Sequence, residues 1–104
     1  MALQDQPAYI INMRAKSGCG DKLFKLATAG MQNSGSSDRF ILAREDADPD
    51  VLLNVEVFGS REAKDAYEES PLADQLRDEI IDLLAERPMR IEVHPSSALP
   101  ADPS

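Results

Sequence analysis

The sequence predicts an α+β fold: a four-stranded antiparallel sheet with helices on one face, in the split βαβ, ferredoxin-like order β-α-β-β-α-β. Three observations predict it. Four segments alternate apolar with other residues at the period of two that a half-buried strand requires. After the first and again after the third, apolar residues recur at helical spacing instead. The second helical stretch is interrupted by Ser70-Pro71, and a residue before proline is pushed out of the α region, so that helix falls into two pieces.

Ala8 to Ala15, AYIINMRA, is the first strand, with Tyr9, Ile11, Met13 and Ala15 on one side. Ser17 to Asp21, SGCGD, is a turn and helix start, after which Leu23, Leu26, Ala27, Gly30 and Met31 form one apolar stripe. NSGSS ends that helix, and Phe40 to Arg44 is a short strand. DADPD, residues 46–50, turns the chain into the central strand, Val51 to Phe58. Its alternation places Leu53, Val55 and Val57 on one face and Leu52, Asn54, Glu56 and Phe58 on the other. Ser60 is placed to cap a helix beginning at Arg61. Beyond Pro71, Leu72, Leu76, Ile80, Leu83 and Leu84 give an amphipathic helix that stops before Pro88, and Met89 to His94 is the last strand. One domain is expected over residues 8–94, with a flexible lead-in at 1–7 and a mobile Pro/Ser/Ala tail at 95–104.

Helices on one side leave the other sheet face bare. Sorting by apolarity assigns Ile11, Met13, Leu53, Val55, Val57, Ile91 and Val93 to the helix side. Asn12, Arg14, Asn54, Glu56, Phe58, Arg90 and Glu92 then fall on the open face. A second copy of the chain is expected to cover that open face, because Leu52 and Phe58 lie on it, and its polar groups would line an enclosed chamber.

Composition excludes several classes of function. A net charge of −8 and a pI near 4.5 argue against nucleic acid and anionic membranes as partners. With no basic, apolar leader and no apolar run approaching the ~20 residues that span a bilayer, the chain is expected in the cytoplasm. The single cysteine, Cys19, cannot build an internal disulfide or a Cys-rich zinc site. The single histidine, His94, lies at the end of the last strand. No Gly-rich phosphate loop follows a strand, so no flavin, haem or metal cofactor is expected.

The strand end Glu56-Val57-Phe58 followed by GSREA, Tyr67 three residues before Ser70-Pro71, the DP turn and the glycine turn before the first helix resemble the antibiotic biosynthesis monooxygenase family. The resemblance runs from about Ala8 to Val93, and it implies a dimeric α+β barrel. The same architecture serves quinol oxidation, haem degradation and non-enzymatic roles. Asn54 is similar to the asparagine that binds a substrate oxygen in the cofactor-independent members; the alternative is a hydrogen bond at the dimer interface. Arg77 matches a functional arginine there, suited to holding a phenolate or a developing superoxide; the alternative is a solvated arginine paired with Asp74. Phe58 stands where the family usually has tryptophan and Tyr67 where many relatives have histidine. Both are read as chamber walls, or as ordinary packing aromatics. Asn12 and Glu56 join them on the chamber face, although aligning on Gly18 would put Ile11 rather than Asn12 at the site. The haem-degrading branch needs a histidine where Leu76-Arg77 stand, so haem is rejected.

Two functions from different classes follow. One is a small cofactor-independent monooxygenase that lets O2 oxidise a phenolic, quinol or polyketide-type aromatic. The other is a non-catalytic, small-ligand-binding or stress-associated dimer. A well-formed pocket containing both Asn54 and Arg77 would favour the first, and a chamber plugged by side chains the second.

Overall fold

The computed structural model describes residues 3–34 and 37–97, with the side chains of 31–34 outside the description. A short 3-10 helix, Leu3–Asp5, precedes β1 (Ala8–Arg14), α1 (Gly20–Ser34), β2 (Ser37–Arg44), β3 (Val51–Phe58), α2 (Arg61–Glu68), α3 (Pro71–Leu83) and β4 (Met89–Val93). The strands form one antiparallel sheet in the order β2-β3-β1-β4, which is the ferredoxin-like arrangement read from the sequence.

Local chemistry explains the joints. Gly18 sits at φ +81°, and the Asp50 carboxylate accepts from the backbone N–H of Gly18 at 3.1 Å and of Gly20 at 2.9 Å. The turn before β3 therefore caps α1. A Cβ on Gly20 would lie 2.3 Å from the Pro49 carbonyl oxygen, so the approach admits only glycine. Ser60 Oγ accepts from Ala63 N and starts α2. Ser70 Oγ accepts from Ala73 N and starts α3, with Pro71 in the first turn, where its missing N–H costs nothing.

The register decides which side chains share a face. Phe40, Glu56 and Tyr9 stand in one row, and Leu42, Asn54, Ile11 and Arg90 in the next. This is the face under the helices. The expected assignment is therefore reversed for β3 and β4: Asn54, Glu56, Phe58 and Arg90 point toward the helices, and Leu53, Val55, Val57, Ile91 and Val93 toward the open side. β1 keeps the sides assigned to it, with Ile11 and Met13 under the helices and Asn12 and Arg14 on the open side, while Glu92 is reversed together with Arg90. Apolarity misleads because Leu52 and Phe58, fully buried, anchor β3 to the helix layer, and Glu56 between them finds hydroxyl partners inside.

Leu52 joins Met13, Ala15, Leu23 and Leu84 in the main core at one end of β3. At the other end Phe58 lies between Tyr9 and Tyr67, with ring centroids 5.6 and 5.9 Å away. Asn54 and Glu56 occupy the gap between these two apolar blocks. In the lead-in Gln6 is buried, donating to Asp38 at 2.8 Å and to the Phe58 carbonyl at 3.0 Å. Residues 98–104 of the expected mobile tail lie outside the described residues.

Candidate functional site

A cavity of about 360 Å³ lies between the helix layer and the sheet, within one chain rather than between two. That size is at the lower end of pockets that enclose a small organic ligand. Ile11 and Met13 from β1, Leu26 and Ala27 from α1 and Leu76, Ile80 and Ile81 from α3 give it an apolar wall. Its polar groups come from Tyr9, Asn54, Glu56, Tyr67, Arg77, Arg87 and Arg90. Gly30 lets α3 approach α1, since a Cβ there would meet Leu76 Cδ1 at 2.8 Å.

Asn54 is only 7% exposed, and its Oδ1 has no hydrogen-bond partner. A buried acceptor left unpaired costs about 1–3 kcal/mol, so its position on the cavity wall is where a ligand donor belongs. Glu56, 2% exposed, accepts from the Tyr9 hydroxyl at 2.5 Å on Oε1 and from the Ser37 hydroxyl on Oε2. The Tyr9 phenol is pushed far up from its ordinary range by burial first and then by the negative Glu56, so it stays protonated and acts as a donor. Tyr67 is raised as well, by burial and by Glu56, with Arg77 pulling the other way.

A charged wall closes the side formed by α2 and β4. The buried Lys64 ammonium contacts Glu68 at 2.7 Å and Glu92 at 3.6 Å, while Arg90 meets the same carboxylates at 2.7 and 2.8 Å. The Arg90 guanidinium also stacks over the Tyr9 ring, 4.4 Å from its centroid. Burial works to raise the Glu68 pKa, but hydrogen bonds from Lys64 and Arg90 outweigh it and hold the carboxyl below its usual range.

Of the residues singled out in the sequence, Asn54, Glu56, Tyr67 and Arg77 meet at this cavity. Arg77 lines the cavity and also pairs with Asp74 at 3.1 Å, with its side chain 56% exposed. Phe58 does not line the cavity but packs between the two tyrosines behind it. Asn12 is exposed on the open face beside Leu53, and Ile11 takes the cavity position. Sequence reasoning missed Tyr9, and it placed Arg90 among the chamber's polar groups without giving it a role. The signal for Tyr9 was its phase with Ile11 and Met13, which ties it to the helix side once β1 is paired with β3. Among the described residues no group of histidine, cysteine, aspartate and glutamate side chains is arranged to hold a metal. Among the same described residues, no helix is long and apolar enough to cross a membrane.

No protein-family model and no curated protein matches the sequence. Solved structures do. A candidate antibiotic biosynthesis monooxygenase from Chloroflexus aurantiacus J-10-fl superposes with a TM-score of 0.79 at 23% identity, covering 93% of this chain and 99% of that one. Rv0793 from Mycobacterium tuberculosis gives 0.78 at 18% identity, covering 90% and 98%. A variant of SnoaB from Streptomyces nogalater, described as a cofactor-independent oxygenase, gives 0.77 at 13% identity, covering 92% and 98%. The chain therefore has the fold of the structures known as antibiotic biosynthesis monooxygenases.

Proposed function

We propose that this protein is a cofactor-independent monooxygenase acting on a phenolic, quinol or polyketide-type aromatic. One observation carries the reading: a cavity of about 360 Å³ is lined by both Asn54, whose Oδ1 has no partner, and Arg77. The fold shared with SnoaB supports it. In such chemistry the deprotonated substrate itself gives an electron to O2. The protein's contribution is to exclude water, orient the ring and hold negative charge. Asn54 would fix a substrate oxygen, Arg77 would face the developing anion, and Tyr67 and the apolar wall would set the plane of the ring. We further propose that the working unit is a homodimer, formed through the open sheet face.

The test is oxidation of anthrone and of a hydroquinone by purified, chelator-treated protein. The expected result is turnover well above buffer with no visible absorbance from the protein, and a loss of about ten-fold or more in Arg77→Ala with the fold intact, since a solvated helix arginine contributes within about 0.5 kcal/mol to stability. Activity that requires added flavin, haem or metal would overturn the reading. Tight binding of these aromatics without any turnover would move it to a non-catalytic binding protein.

A further inference from the structure

Glu56 is the most deeply buried carboxylate at the cavity, and the reading so far gives it no task. Burying a carboxylate is expensive unless it is well hydrogen-bonded, and the two partners shown here are neutral hydroxyls. These occupy two of the roughly four acceptor positions of a carboxylate, leaving lone pairs for a further proton. The Tyr9 phenol cannot compete for that proton, because burial and the Glu56 charge lock it in the protonated form. Tyr9 is itself clamped by the Arg90 guanidinium on its ring face, and Arg90 by Glu68 and Glu92. Tyr9 from β1 and Ser37 from β2 hold the carboxylate directly, Arg90 from β4 packs on Tyr9, and Tyr67 from α2 and Arg77 from α3 share the cavity lining with it.

We propose that Glu56 is the general base that activates the substrate, with Tyr9 as its positioning residue. This rests on the oxygenase reading and adds to it the class of substrate: a carbon or oxygen acid whose acidic hydrogen lies beside the oxygen held by Asn54. For an anthrone-type methylene, a C–H proton moves to Glu56 and the bonding pair stays on the ring system as an enolate. The enolate passes one electron to O2, giving a substrate radical and superoxide, and these couple to form a C–O bond. The resulting peroxide anion takes the proton back from Glu56. Loss of the second C–H proton together with hydroxide from the hydroperoxide breaks the O–O bond, leaving a ketone and one water. One O2 is consumed and the carboxylate is restored. A neutral cavity could bind the same ring but could not start this sequence near neutral pH.

The discriminating experiment removes O2. Under nitrogen in D2O, wild-type protein should exchange the acidic hydrogens of anthrone faster than buffer, and Glu56→Gln should lose that exchange and aerobic turnover by about 100-fold or more while still binding the ring. Tyr9→Phe frees Oε1 of Glu56 from the hydroxyl that aims it, so the exchange rate and kcat should fall while KM for anthrone holds. A tyrosine that only packs the fold would leave kcat in place or change kcat and KM together. Glu56→Gln with undiminished exchange would overturn the proposal. If that variant fails to fold, an unchanged exchange rate in Tyr9→Phe does so instead. Wild-type turnover in air without exchange under nitrogen would sink the base while sparing the oxygenase reading, and neither exchange nor turnover would sink both.

Discussion

Asn54 shows how a cost to folding marks a site. A buried amide oxygen without a partner subtracts about 1–3 kcal/mol from stability, and a ligand that donates to it recovers that loss on binding. Asn54→Leu, matched in branching and without the polar atoms, should therefore melt at the same temperature as wild type or several degrees above it, while affinity for a hydroxylated aromatic falls by ten-fold or more. Calorimetry and a binding titration check the two halves. A variant that melts far lower yet binds normally would make Asn54 structural. The residue was legible in advance because asparagine is unusual inside a strand. Tyr9 was not, since tyrosine in a strand needs no explanation, and only the pairing of β1 with Glu56 on β3 gives it a meaning. Asn12 attracted attention for the same reason as Asn54, but its phase along β1 sends it to the open face.

Among the elements, the joints were readable and the faces were not. Serine caps, the Ser70-Pro71 break and the glycine turn act within a few residues, so sequence alone carries them. The side of the sheet that receives the helices depends on contacts between distant strands. It reverses when polar residues are satisfied internally, as Glu56 is. The aromatic block at the end of β3 carries its own pH signature. Tyr9 and Tyr67 both titrate above their ordinary value in the folded chain, Tyr9 through burial and the Glu56 charge, Tyr67 chiefly through burial. Between the unfolded value of about 10 and the higher folded values, the native state holds protons that the unfolded chain has released. Stability is thus full below about pH 10 and falls as pH rises beyond it. Urea midpoints should drop between about pH 8 and about pH 10.5, and the drop should shrink in Tyr9→Phe. An equal slope in both proteins would contradict the assignment.

At the scale of the molecule, the open sheet face is the unfinished part of the structure. Ile41, Val55, Ile10 and Ile91 form one row across all the strands, and Ala43, Leu53, Asn12 and Met89 the next. Met89 is 65% exposed and Ile41 62%, with Leu53 and Ile91 also open. A contiguous apolar surface of this kind is rare on a stable monomer, and a chain of 104 residues gains much from covering it. The occupant that best fits a flat, two-sided sheet is a second copy, packed sheet to sheet, burying on the order of 2,000 Å². The polar Asn54 face lines the cavity inside the chain, which leaves the apolar face for the proposed pairing. Because each copy carries a net charge of −8, added salt should strengthen the association by screening repulsion, on top of the apolar contact. Sedimentation at micromolar concentration should find a dimer. Ile91→Asp, which puts a charge at the β4 end of the apolar row, should give a folded monomer that keeps the intrachain cavity and binds aromatics with reduced but measurable affinity. A wild-type chain that sediments as a monomer at those concentrations, or a dimer that Ile91→Asp leaves intact, would place the contact elsewhere.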